Sequence, residues 1–122
     1  MEEMSNSKKL ALTACKALSE KRGRDIVMLY VRERTSLCDY FVFASAGSAS
    51  QIKAMGERVE ELVEKELGIE PTRAEGVRDG RWGVIDYGDV IVHIFNDDTR
   101  LFYHLERLWS DGENMEKYVD ED

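Results

Sequence analysis

Proline, cysteine and histidine are scarce in this chain: one proline, two cysteines and two histidines in 122 residues. No proline-rich or glycine/serine-rich linker and no internal repeat is visible, so a single domain is expected. Cys15 and Cys38 lack zinc spacing, and two isolated cysteines read as small buried hydrophobes. No apolar run approaches the roughly 20 residues that span a bilayer, so no membrane role is expected. Met1-Glu2-Glu3-Met4 has neither the apolar core of a signal peptide nor the arginine-rich character of a transit peptide, and a cytoplasmic location follows as the expectation. Positive charge is also in short supply, with 17 Lys and Arg against 25 Asp and Glu and a net charge of −8. Phosphate-backbone affinity rests largely on Lys and Arg, so no direct nucleic-acid readout is expected and a basic protein is the better partner.

What is present is strongly patterned. Ser5-Asn6-Ser7 can cap a first helix, with Leu10, Ala14 and Leu18 on one face and Gly23 where a helix would stop. Residues 25–32 are apolar on both alternating faces (Ile26, Met28 and Tyr30 against Val27, Leu29 and Val31), as in a strand covered on two sides, and residues 40–46 have the same character. Ser48 to Gln51 matches a capping box that opens the longest helix, with Ile52, Met55, Val59, Leu62 and Leu67 as its stripe and Gly68 as its end. Pro71 begins an irregular or edge segment, and residues 72–77 can add a short strand. Val84-Ile85 and residues 90–95 then read as a hairpin around Tyr87-Gly88. Asn96-Asp97-Asp98 supplies caps for a last helix carrying Leu101, Leu105 and Leu108 on one face. The order α-β-β-α-β-β-β-α predicts an α/β (α+β) single domain, a mixed sheet with helices packed on it. Residues 110–122 hold six acids against one lysine. With no core-forming periodicity, they are expected to be a disordered tail to a domain spanning residues 1–109.

Candidate functional residues concentrate between Trp82 and Trp109. A strand-opening Trp82 can serve as an interface anchor or as core, and spacing leaves both open. Val84 shares its strand face. A two-residue loop at Tyr87-Gly88 would pair Trp82 with His93, whereas a three-residue loop with Gly88 as a bulge would pair it with Val92. Arg100, Tyr103 and Arg107, three or four apart, form a polar and aromatic stripe on the last helix, either a solvated face or part of a binding surface.

Enzymatic readings are weaker. Asp86, Asp89 and His93 could converge on a divalent ion, the arrangement a metal-dependent nucleotidyltransferase or hydrolase would need. Aspartates beside a Tyr-Gly turn, however, usually bind backbone N–H groups, and no second His or Cys ligand is nearby. Gly47-Ser48 before a helix is similar to a nucleotidyltransferase entrance, yet no Asp-x-Asp pair follows to hold two Mg²⁺ ions. No serine or cysteine has an identifiable paired base. No catalytic residue, metal or cofactor is assigned.

Trp82, Asp86, Gly88-Asp89, Val92-His93, Arg100, Phe102-Tyr103, Leu105-Glu106 and Leu108-Trp109 occur in an order that resembles the Iojap family, the bacterial ribosomal silencing factors. Ser36-Leu37-Cys38-Asp39-Tyr40, Ser48 to Gln51 and Glu75-Gly76 extend the resemblance over residues 9–109. The resemblance implies a nucleotidyltransferase-like fold without catalytic residues and a non-enzymatic repressor of translation. Such a protein docks on large-subunit ribosomal protein fourteen and sterically blocks joining of the small subunit. It further implies that Trp82 lies on the docking surface, with Val84, Asp86, Tyr87, Asp89, His93, Arg100 and Tyr103 as its expected companions. The same apolar face could pair with its own copy, giving a homodimer when free.

Overall fold

The structure, a computed structural model, describes residues 5–77, 81–96 and 114–118. The Ser5 hydroxyl accepts a hydrogen bond from the Lys8 amide (3.1 Å) and caps helix α1, Asn6–Glu20, which buries Leu10, Ala14 and Leu18 as its spacing predicts. Strand β1 (Arg24–Tyr30) and strand β2 (Tyr40–Ala46) pair antiparallel. Helix α2 (Ala49–Leu67) is capped by Ser48, whose side chain accepts from the Gln51 amide, and it ends at Gly68. The reciprocal half of the expected capping box is displaced by one residue, because Gln51 Oε1 accepts from the Gly47 amide (2.7 Å). The other end of that side chain donates to the Lys21 and Arg22 carbonyls, tying the α1–β1 turn to the start of α2.

Strands β3 (Arg73–Glu75), β4 (Trp82–Asp86), β5 (Val90–Asn96) and β6 (Met115–Lys117) complete a six-stranded sheet in the order β3-β4-β5-β2-β1-β6. Among the described strands only β2 and β5 pair in parallel, so the sheet is mixed as expected. Both helices lie on one face. There Ile26 and Met28 of β1, Val42 and Ala44 of β2, Ile85 of β4, and Val90, Val92 and Ile94 of β5 meet the buried stripes of α1 and α2. The alternate residues form a second cluster on the opposite face: Val27, Leu29, Val31, Phe41, Phe43 and Phe95, with Trp82 and Ile91 packed against it. The two-sided burial read for β1 and β2 is therefore observed, and it arises because two different apolar layers use the two side-chain directions of one sheet.

Two expectations are corrected. The hairpin takes neither proposed register: Trp82 pairs with Phe95, Val84 with His93 and Asp86 with Ile91. Its loop is Gly88-Asp89, closed by the Tyr87 amide on the Val90 carbonyl (2.9 Å), with Gly88 at φ 88°. A glycine at the first central position of a two-residue loop meets the need for positive φ there without a steric penalty. The acidic segment also differs from the expected disordered tail, since Met115–Lys117 is a strand on the edge of β1. The Tyr30 amide donates to the Asn114 carbonyl and the Tyr118 amide to the Ile26 carbonyl. Backbone bonding to an open sheet edge needs no apolar periodicity, which is why the composition concealed it. The rest of the expected tail, the boundary at residue 109 and the last helix lie outside the described residues.

Candidate functional site

The sheet face away from the helices carries a pocket of about 340 Å³, lined by Leu37, Phe41, Phe43, Trp82, Val84, Ile91 and His93, with Arg73, Glu75 and Asp86 also in its wall. Register builds it. Phe41 lies opposite Ile91 and Phe43 opposite His93 in the parallel β2–β5 pair, while Val84 lies opposite His93 and Trp82 opposite Phe95 in the β4–β5 hairpin. Side chains paired across neighbouring strands project from the same face, so three strands present one aromatic floor.

Ring contacts fill this floor. His93 stacks on Phe43 with centroids 5.0 Å apart and meets Phe41 edge-on at 5.4 Å, and Trp82 stacks on Phe95 at 5.3 Å. Trp82 Nε1 donates a hydrogen bond to His93 Nδ1 (3.1 Å). An indole N–H can only donate, so Nδ1 carries a lone pair and the neutral imidazole holds its proton on Nε2. Burial pushes the His93 pKa down to about 4, partly opposed by the Asp86 carboxylate. The hydrogen bond thus fixes the tautomer, and the lowered pKa keeps that imidazole neutral. Leu37, 68% exposed, overhangs the apolar floor. Its loop is anchored on the β4–β5 turn by the Asp39 and Tyr40 amides, both donating to the Asp89 carbonyl (2.8 and 3.1 Å). Beside Leu37, Cys38 is buried, and desolvation together with the acids around it pushes its thiol up to about 12, far from a reactive thiolate.

Gly76, just after β3, flanks the Trp82 backbone in the plane of the sheet. At φ 75°, Gly76 lies so close to the strand that an added Cβ would stand 2.1 Å from the Trp82 carbonyl oxygen. Only glycine combines that backbone angle with that approach.

The expected site residues separate into groups. Trp82, Val84, Asp86 and His93 share the pocket. Tyr87 does not: it points into the helix-side core at 8% exposure, because it alternates with Asp86 along the strand. Asp89 belongs to the turn and does not line the pocket, contributing its backbone carbonyl to the Leu37 loop. Arg100 and Tyr103 lie outside the described residues. As ligands Asp86 and His93 are otherwise employed: Asp86 Oδ1 accepts from the Gly88 amide (2.7 Å), the turn-stabilising role read from sequence, and His93 Nδ1 faces Trp82. Among the described residues no three His, Cys, Asp or Glu side chains gather as metal ligands, and no helix is long and apolar enough to cross a membrane. Sequence reasoning passed over Leu37, Phe41, Phe43, Ile91, Arg73 and Glu75. The alternation of residues 40–46 and 90–95 held a signal for three of them, Phe41, Phe43 and Ile91, but only pairing β2 with β5 brings the two odd-numbered series together.

Fold and site together define a small mixed α/β domain whose sheet carries an apolar, aromatic pocket on the face away from the helices. The family model described as ribosomal silencing factor during starvation matches residues 4–122, and the chain belongs to that family. A ribosomal silencing factor from Halalkalibacterium halodurans is 37% identical over 113 residues, covering 93% of this chain and 95% of that protein. A crystal structure of a Chromobacterium violaceum protein superposes with a TM-score of 0.82 at 31% identity, covering 95% of each chain. A mouse protein named mitochondrial assembly of ribosomal large subunit protein 1 is 28% identical over 95 residues, covering 76% of this chain and 42% of that protein.

Proposed function

We propose that this protein binds the large ribosomal subunit through the outward face of its sheet, docking on large-subunit ribosomal protein fourteen, and sterically blocks joining of the small subunit. The carrying observation is the apolar pocket between Leu37 and Trp82 in a chain of the silencing-factor family. An exposed leucine over an aromatic floor offers the apolar centre of an interface, and Glu75 and Asp86 supply charged edges for Lys and Arg of a basic ribosomal protein. The name of the mouse relative points to the same subunit. Arg100 and Tyr103 belong to this reading as sequence neighbours of the face. The action is competitive binding and uses no chemical step, so this reading assigns no catalytic residue and no cofactor.

Co-sedimentation with separated subunits tests it. The protein should travel with large subunits and prevent their joining to small ones. Trp82→Ala should weaken large-subunit binding about thirtyfold, equivalent to roughly 2 kcal/mol, as loss of an aromatic anchor does. Because Trp82 is half-buried against Phe95, a melting curve on the same variant must show that it is folded at the assay temperature. Equal binding to both subunits, or undiminished joining at saturating protein, overturns the proposal.

A further inference from the structure

The Trp82–His93 pair has a feature that neither ring explains alone: the polar atom of the most prominent aromatic in the pocket is satisfied from within. Trp82 Nε1 is bonded to His93 Nδ1, and His93 is itself fixed by stacking on Phe43 and Phe95 and by the edge of Phe41. A Trp at an interface ordinarily keeps its N–H for the partner or for water. Here that donor is held by the neighbouring strand. Turning the indole about its χ angles or towards solvent therefore breaks this half-buried hydrogen bond, and the ring meets a partner with carbon surface.

We propose that His93 is a positioning residue for docking: its Nδ1 lone pair locks the Trp82 indole in the binding-competent orientation and makes the pocket select an apolar partner side chain rather than a hydrogen-bond acceptor. This rests on the docking reading given above. Locking one side chain before contact removes about 0.5–1.5 kcal/mol of ordering that binding would otherwise require, which sets the scale of the effect at roughly two- to tenfold in affinity. Position supports the role. His93 stands on β5, between β4 and β2 in the sheet, and its ring spans from Trp82 to Phe41, so it connects the two sides of the pocket.

Two substitutions separate the acceptor from the ring. His93→Phe keeps an aromatic in the stack and removes the lone pair, whereas His93→Asn gives up the ring and places Oδ1 near the former Nδ1. The first readout is the Trp82 indole ¹H–¹⁵N resonance, assigned by its disappearance in Trp82→Phe. It should lie downfield and exchange slowly in the wild type, move upfield and exchange faster in His93→Phe, and return towards the wild-type shift in His93→Asn. The second readout is affinity for isolated large subunits, measured beside Trp82→Ala. His93→Phe should bind two- to tenfold more weakly while melting normally, and His93→Asn should recover part of that loss. An indole resonance unmoved in His93→Phe overturns the lock. So does full affinity in His93→Phe beside a weakened Trp82→Ala. Full affinity in Trp82→Ala itself would overturn the docking reading and the proposal with it, so the two failures are told apart by which variant binds normally.

Discussion

His93 joins structure to solution conditions because its folded and unfolded states prefer different protonation. Burial lowers its pKa to about 4 from 6.5, so as pH falls the unfolded chain takes up a proton before the folded one does. The stability it contributes is whole above about pH 6.5 and declines as pH falls towards 4. Among the described residues the charged groups around the pocket are Asp86 on β4, which opposes the shift, and Arg73 and Glu75 on β3, which pair with each other at 3.8 Å. Between pH 7 and pH 5 the loss should be about 2 kcal/mol, read as a lower denaturation midpoint. His93→Phe should flatten that part of the profile, and an unchanged slope in the variant would assign the acid sensitivity elsewhere. At this scale the sequence was partly legible. That Trp82 and His93 share a face follows from strand alternation under the two-residue register, but the hydrogen bond between them does not, because the pairing shifts by two positions when the loop moves from Tyr87-Gly88 to Gly88-Asp89. Tyr87, a companion of Trp82 by resemblance alone, lies elsewhere because the strand's alternation carries its side chain under the helices.

Among the elements, α1, α2, β2 and the hairpin strands were legible because each joins a clear apolar period to a capping or turn residue. β6 was not. Its three residues are exposed, and its contribution is backbone bonding to β1 together with the packing of Tyr118 against the helix-side core. That arrangement makes residues 115–117 part of the sheet rather than of a disordered tail. Deleting residues 114–122 uncovers the edge of β1 from Ile26 to Tyr30 and removes the Tyr118 contact, and should lower stability by about 1–3 kcal/mol. Urea unfolding of the truncated chain against the full chain measures it. An unchanged midpoint would show that the strand adds nothing to the fold. The uncovered strand should also raise self-association, since an open edge pairs readily with another copy, and light scattering would report it.

For the molecule as a whole, charge and shape set different parts of the proposed encounter. A net charge of −8 draws the chain towards a basic partner and acts mainly on the rate of approach, whereas the pocket around Trp82 acts once contact is made. Raising the ionic strength should therefore slow association with large subunits and leave dissociation nearly unchanged, as stopped-flow or surface-binding kinetics would show. A dissociation rate that rises with salt as steeply as association falls would mean that charged contacts, rather than the apolar floor, hold the complex. The pocket's floor also stands on the parallel β2–β5 pair, where residues near 40 meet residues near 90, in the middle of the sheet. Such a pair has no local way to open: separating it divides the sheet and uncovers both apolar layers at once. The floor of the proposed docking face should therefore outlast its edges under stress, so that damage reaches the Leu37 loop and β3 before it reaches the aromatic rings.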